Sequence, residues 1–192
     1  MQQLALPIAI LMLIVVVIFA VGTLLTAMFH VWWKVPFVPT PSVIVRTMID
    51  LVRLKPGDHV VDLGAGDGRF LIEAMRRERG ISATGYEGAY GVWLLAKIRI
   101  WLSGLPVVMH RRNFFKEDLS QTDVVFLYLS VRLMRLLVPK FNRELKEGTR
   151  IVTHAFRFPD IQPVEVRPVP LRFGGSTNVY YYEWKKQNGE GM

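Results

Sequence analysis

Val60-Val61-Asp62-Leu63-Gly64-Ala65-Gly66-Asp67-Gly68-Arg69-Phe70 is the stretch on which the fold turns. Two β-branched residues and a leucine predict a buried strand, three alternate glycines a tight turn, and the run from Arg69 through Met75 the helix that follows. The dinucleotide spacing G-x-G-x-x-G is not met, because the glycines stand at 64, 66 and 68 and Asp67 lies inside the turn. A carboxylate there would repel a pyrophosphate. The turn instead suits a ligand without phosphates that carries a positive centre and an amino-acid tail. Glycine lets the backbone approach such a ligand closely, and amides at the start of a helix can hold its carboxylate.

Taken alone, these glycines would also serve an ordinary strand-to-helix turn. Ser82-Ala83-Thr84-Gly85-Tyr86-Glu87 gives them more weight, since it reads as the next strand and ends in an acid. In a doubly wound sheet an acid at the tip of the second strand, roughly 20 residues past the glycines, bonds ribose hydroxyls. S-adenosylmethionine, a sulfonium amino acid joined to adenosine, meets both requirements. Asp62, Gly64, Ala65, Gly66, Asp67, Gly68 and Glu87 are therefore the expected cofactor contacts.

With 192 residues, half of them apolar, the chain suits one domain with one core plus an appendage. Basic residues exceed acids by eight but are scattered, so they predict a solvated basic surface rather than a nucleic-acid stripe. Such a surface also gains attraction from anionic lipid headgroups. There is no cysteine, which excludes disulfides, thiolate metal sites and iron-sulfur clusters, and with them radical and thiolate-dependent methyl transfer. Direct polar transfer remains. The four histidines, His30, His59, His110 and His154, stand apart without metal-ligand spacing, and no metal is expected.

Before Lys34 there is no charged side chain, and residues 4–29 are almost wholly apolar. As a helix they would reach about 39 Å, enough to cross a ~30 Å hydrocarbon core. Residues 1–33 are accordingly expected to be one transmembrane helix. The absence of a basic start and the length of the run argue against a cleaved signal peptide. Trp32, Trp33 and Lys34 form an aromatic and basic collar, and every positive side chain lies at or beyond Lys34. That places the domain on the cytoplasmic side of a single-pass protein. Three prolines within residues 34–41 make the connector, residues 34–40, short and stiff, so the acceptor should lie at or in the bilayer.

Thr40 can cap, and Pro41 open, a helix whose buried stripe is Ile44, Met48, Leu51 and Val52. A further helix is predicted over 90–102, with Trp93 and Trp101 read as core. A third strand, 106–110, leads to Asn113 and Phe114, suited to reach and stack on an adenine, although Asn113 also suits a plain turn. A fourth strand, 123–130, is followed by a helix over 131–138 that Pro139 ends and a second helix restarts. A fifth strand spans 150–156. Runs at 164–171 and 178–184, joined across Gly174-Gly175, make an antiparallel edge that completes seven strands. Residues 187–192 read as a flexible tail.

In this order the domain, residues 41–186, resembles a class I, seven-strand S-adenosylmethionine-dependent methyltransferase, a Rossmann-like α/β sheet with helices on both faces. Phe37-Val38-Pro39-Thr40-Pro41, the motif from Val61 to Arg69, Gly85-Tyr86-Glu87 and Phe156-Arg157-Phe158-Pro159 are similar to the membrane-anchored lysine methyltransferases of the ATP synthase c-subunit and the adenine nucleotide translocase. The resemblance implies the cofactor roles argued above, and it implies that Pro39, Thr40 and Pro41 line the substrate site near the transferred methyl. It implies in-line attack by a neutral amine, with Tyr128, Ser130 or Thr40 accepting its hydrogen bonds, although each also has a good structural role. The expected partner is a membrane-embedded or membrane-surface protein. Methylation of a phospholipid or other small amine uses the same anchor and chemistry, and a non-catalytic tethered cofactor-binding module is the third reading. Adenine-N6 methylation is disfavoured, because Tyr128-Leu129-Ser130 lacks the N/D-P-P-Y/F such enzymes carry.

Overall fold

The computed structural model describes the backbone of residues 2–32, 38–171 and 174–186, and the side chains of 7–23, 38–171 and 174–186. The chain divides into two compact units, Met1–Phe37 and Val38–Met192.

The first unit carries α1, Gln2–Trp32, with Pro7 inside it. Its described large apolar side chains between Ile8 and Val21 are all exposed, and Thr23 returns its hydroxyl to the carbonyls of Phe19 and Ala20 at 3.0 and 2.9 Å. Among the described residues no helix is long and apolar enough to cross a membrane. The span expected over 4–29 is therefore not shown. Its two ends, the Trp32, Trp33 and Lys34 collar, most of the connector and the tail at 187–192 lie outside the residues whose side chains are described.

The second unit is a seven-stranded sheet in the order β3-β2-β1-β4-β5-β7-β6. The strands are β1, His59–Leu63, β2, Ser82–Tyr86, β3, Val108–His110, β4, Val124–Leu127, β5, Arg150–His154, β6, Glu165–Pro170, and β7, Ser176–Glu183. The first five run parallel and β7 pairs antiparallel with both β5 and β6. With Pro168 and Pro170 unable to donate to a ladder, β6 belongs at an edge. Alternation divides each strand between two cores. Val60, Val124, Phe126 and Val152 meet α2, Ser42–Val52, α3, Arg69–Arg77, and α4, Tyr90–Ser103, on one face. Val61, Leu63, Val125, Leu127 and Ile151 meet α5, Val131–Glu144, on the other.

Four local expectations are corrected. Pro139 does not end a helix: α5 runs through it to Glu144, because Met134, Leu137 and Phe141 are buried on one face and their packing outweighs a penalty of about 3 kcal/mol. Pro41, not Thr40, is the N-cap of α2, and no side chain caps it; the amides of Ile44 and Val45 bond the Pro41 carbonyl. Trp101 is no core residue, being 79% exposed, whereas Trp93 is half-buried with its indole N–H on the Met109 carbonyl. The fourth and fifth strands stop at Leu127 and His154, short of 130 and 156. At β5 the cause is local. Ala155 has φ 62° and the Phe156 amide bonds the His154 carbonyl at 2.7 Å, a strained three-residue turn that reverses the chain.

Candidate active site

In the order 3-2-1-4-5 the chain reverses direction across the sheet between β1 and β4, and the crevice opens at the carboxyl ends of those strands. The glycine turn occupies one wall of it. Gly64, Gly66 and Gly68 have φ of 82°, 56° and 75°, a conformation that side chains rarely adopt. The amides of Gly64 and Ala65 both bond the Tyr86 carbonyl, at 2.9 and 3.0 Å, and so tie the turn to the end of β2. A Cβ on Gly64 would come within 3.1 Å of Leu129, so the turn and the end of β4 are in contact.

Three carboxylates meet here and have separate fates. Asp62 is buried at the end of β1, and its Oδ2 has no hydrogen-bond partner. Burial first, then the charges of Glu87 and Asp67, pushes its carboxyl well above the ordinary range. A buried orphan acceptor of this kind calls for a donor, and an ammonium is the best one. Glu87 turns back onto the turn: one oxygen accepts the Gly66 amide at 3.0 Å and the other the Ala89 amide at 2.8 Å. Burial raises its pKa, partly offset by the amides of Ala89, Gly66 and Gly88. The carboxylate keeps acceptor capacity for a hydroxyl.

Asp67 is engaged elsewhere. Its carboxylate is buried between the guanidinium of Arg69, at 2.8 and 2.7 Å, and that of Arg99. Burial works to raise its pKa, but the hydrogen bonds and charge of Arg69, then the charge of Arg99, hold the carboxyl below its usual value. The turn therefore does not present the bare negative charge that the sequence suggests, because Asp67 is paired with Arg69 and Arg99. Arg69 in turn donates at 2.6 Å to the Thr40 carbonyl, which fastens the segment Pro39-Thr40-Pro41 to the glycine turn. Thr40 is buried, while Pro39 and Pro41 are exposed.

The opposite wall is aromatic. Leu127 pairs with Leu63 and with Thr153, so Tyr128 and His154 follow side by side beyond the ends of β4 and β5. The Tyr128 ring lies 4.4 Å from that of His154 and 6.3 Å from that of Phe156. Thr153 Oγ1 locks the strained turn by donating to the Phe156 carbonyl at 2.6 Å. Buried His154 has Nε2 3.2 Å from Thr177 Oγ1 and Nδ1 unpartnered, and burial lowers its pKa to about 4. It is neutral at physiological pH.

Ser130 is exposed at the N-cap of α5, where its side chain makes no capping bond. Asn113 is exposed, and its Oδ1 accepts the Phe115 amide at 3.0 Å, as the turn reading expected. The Phe114 ring lies tilted against that of Phe115, centroids 4.7 Å apart. Both follow β3 onto the rim held by Glu87, whose amide bonds the His110 carbonyl at 3.0 Å. Among the described residues no cluster of acids and histidines could hold a metal ion. His154, Phe156 and Arg69 were not singled out from the sequence. The available signals are a histidine within the predicted fifth strand and an arginine two places after the aspartate of the glycine turn.

Residues 62–165 match the model of the ANTKMT methyltransferase domain. The chain belongs to this family. It is a methyltransferase of the S-adenosylmethionine-dependent class, and the family's matched region starts at Asp62 and takes in both walls of the crevice. A protein-lysine N-methyltransferase of Saccharolobus islandicus is 37% identical over 134 residues, covering 69% of this chain and 83% of that protein. The adenine nucleotide translocase lysine N-methyltransferase of Mus musculus is 36% identical over 138 residues, 69% of this chain. This chain spans 58% of that mouse protein's length, and 56% of the length of the Homo sapiens lysine N-methyltransferase of the ATP synthase c-subunit. Among solved structures, an RNA methyltransferase from Salinibacter ruber in complex with S-adenosyl-L-homocysteine superposes with a TM-score of 0.71 at 30% identity, covering 80% of this chain and 98% of that one. The family's cofactor fits what is present here: an orphaned acceptor for an ammonium at Asp62, a glycine turn for close approach, and Glu87 for ribose hydroxyls.

Proposed function

We propose that this chain methylates the side-chain amine of lysine in a protein held at a membrane. The observation that carries the reading is the wall of Tyr128, His154 and Phe156 standing one strand away from the glycine turn. The lysine enzymes among its relatives support it. When bound, S-adenosylmethionine supplies a methyl on a sulfonium and departs as a neutral thioether. The residues of the chain have the remaining work. Asp62 would take the cofactor's ammonium and Glu87 its ribose hydroxyls. The Tyr128 and Phe156 rings would flank the aliphatic stem of the acceptor side chain. A lysine must lose a proton before it attacks, from a reference pKa of about 10.4. An apolar wall with an uncharged His154 disfavours the charged form and lowers that value. Thr40, with Pro39 and Pro41, closes the entrance through the Arg69 tie, and Tyr128 or Ser130 accepts a hydrogen bond from the neutral amine. Water exclusion and alignment are then the main sources of rate.

We place the acceptor at a bilayer, with α1 as the anchor and the domain on the cytoplasmic side. The exposed apolar side chains of α1, the lack of any charge before Lys34 and the net charge of +8 support that placement. An RNA base amine is the second reading, favoured by the identity to the Salinibacter ruber protein. Full-length chain incubated with methyl-labelled cofactor and solubilised membranes tests these together. Label in protein that hydrolyses to methyl-lysine is expected. Label confined to the lipid extract or to RNA would replace the acceptor, and no label anywhere would remove the enzymatic reading.

A further inference from the structure

One face of α4 lies outside everything the active site uses. Val92, Ala96 and Ile100 face the core. On the side turned away from it Tyr90, Leu94, Ile98 and Trp101 follow one another at helical spacing, 55, 41, 48 and 79% exposed, with Leu95 and Leu102 broadening the stripe. No acid or amide interrupts it. Lys97 stands on one border of the stripe, Arg99 on the other, and Arg111 lies 5.5 Å over the Tyr90 ring at the end of the helix nearest the crevice. Residues 90–116 hold five basic side chains, Lys97, Arg99, Arg111, Arg112 and Lys116, and no acidic one.

From this arrangement we infer that α4 is a second membrane contact, whose apolar face enters the interfacial layer of a bilayer containing anionic lipids. The inference rests on the membrane placement proposed above. A convex helix face with an apolar stripe, cations at both borders and a tryptophan has the form of an interfacial helix, with the aromatic and aliphatic groups below the headgroups and the cations level with the phosphates. A second copy of the chain fits poorly, because pairing two such faces would bring Lys97, Arg111 and Lys116 of each copy together, six like charges. Arg99 and Arg112 already pair with Asp67 and Glu117; a protein groove would have to be acidic to match Lys97, Arg111 and Lys116, whereas anionic headgroups match them along the whole length. Contact along α4 would also hold the Glu87 end of the crevice close to the lipid surface, where a membrane protein presents its lysine.

The cysteine-free sequence makes the test direct, since one introduced thiol is the only one in the chain. Full-length I98C, V16C and Q121C are spin-labelled and reconstituted in phosphatidylcholine vesicles with and without phosphatidylglycerol. Access to oxygen and to a water-soluble nickel chelate is then compared. The I98C label is expected to lose access to nickel and gain access to oxygen only when phosphatidylglycerol is present, while Q121C, exposed in the loop before β4 at the amino end of the strands, stays open to nickel. An I98C label that stays open to nickel in anionic vesicles overturns the inference. So does protection with spin-spin broadening that disappears on dilution with unlabelled chain, which would mean self-association, or protection that appears only after an acceptor protein is added. V16C reports the anchor separately: if it is buried in lipid while I98C stays wet, α1 holds the chain and α4 does not touch the membrane.

Discussion

At the scale of single residues, the crevice holds two titratable groups whose burial is uncompensated, and each makes stability depend on pH. Asp62 ionises in the unfolded chain near the ordinary carboxylate value but only well above it when folded. Its contribution is thus fully present below about pH 4 and is lost as pH rises through the folded value. D62N is expected to be roughly 1–3 kcal/mol more stable than the parent at neutral pH, with the margin closing in acid. It should also lose most of its affinity for S-adenosylmethionine. Denaturant midpoints across pH and titration calorimetry check the two halves, and a variant that is less stable yet binds normally would show that Asp62 is an ordinary structural acid. His154 has the opposite sign. Its folded pKa of about 4 lies below the unfolded value near 6.5, so its stability is present above pH 6.5 and is lost as pH falls towards 4. The loss is on the order of 3 kcal/mol by the size of that displacement. H154F should flatten this acid limb while leaving the alkaline side unchanged; an identical acid limb in the variant would place the titration elsewhere.

Elements are held by close approach, and Gly85 in β2 marks the closest. A Cβ there would meet Met109 Sδ and come within 2.8 Å of Leu71 and 2.9 Å of the Ala65 methyl, so a side chain at 85 would force Met109, Leu71 or the turn at Ala65 to shift. G85A is expected to cost about 1–3 kcal/mol and to weaken cofactor binding as well, because Ala65 and the turn would shift with α3. Melting and calorimetry on one preparation check both, and a stable variant with normal affinity would mean the turn is independent of that packing. Why the elements were legible follows from the same forces. Apolar alternation in β1, β4 and β5, and the glycines between β1 and α3, dictate local structure so strongly that pattern alone finds them. Helix α5 was misread because Pro139 speaks only of local propensity, while the burial of Met134, Leu137 and Phe141 is a tertiary fact. Trp101 was misread because large aromatics are usually buried, and only the orientation of α4 shows which tryptophan faces out. Of the site, Asp62, the glycines and Glu87 were legible from spacing. The Arg99 pairing with Asp67, and the contact of the Tyr128 ring with His154, arise from residues 32 and 26 positions apart, which no local pattern connects.

For the whole molecule, the proposed placement would divide chemistry from anchoring along the boundary between Met1–Phe37 and Val38–Met192. Every residue assigned to the crevice lies in the second unit. Removing residues 1–37 should therefore leave the melting transition, the cofactor affinity and methyl transfer to a soluble lysine peptide within about twofold. Transfer to an acceptor embedded in vesicles should respond differently. A tether converts encounter with that acceptor into an event within the membrane plane, and tethering of this kind raises effective concentration enough to be worth on the order of 100-fold. Attraction between the basic second unit and anionic lipid would recover part of that loss at low ionic strength, where the screening length is ~30 Å, and little of it at ~0.1 M salt, where it is ~10 Å. The truncated chain should thus show a steep salt dependence that the full chain lacks. Equal rates on vesicle-borne acceptor for the two chains at every salt concentration would mean that the first unit does not deliver the enzyme to its substrate.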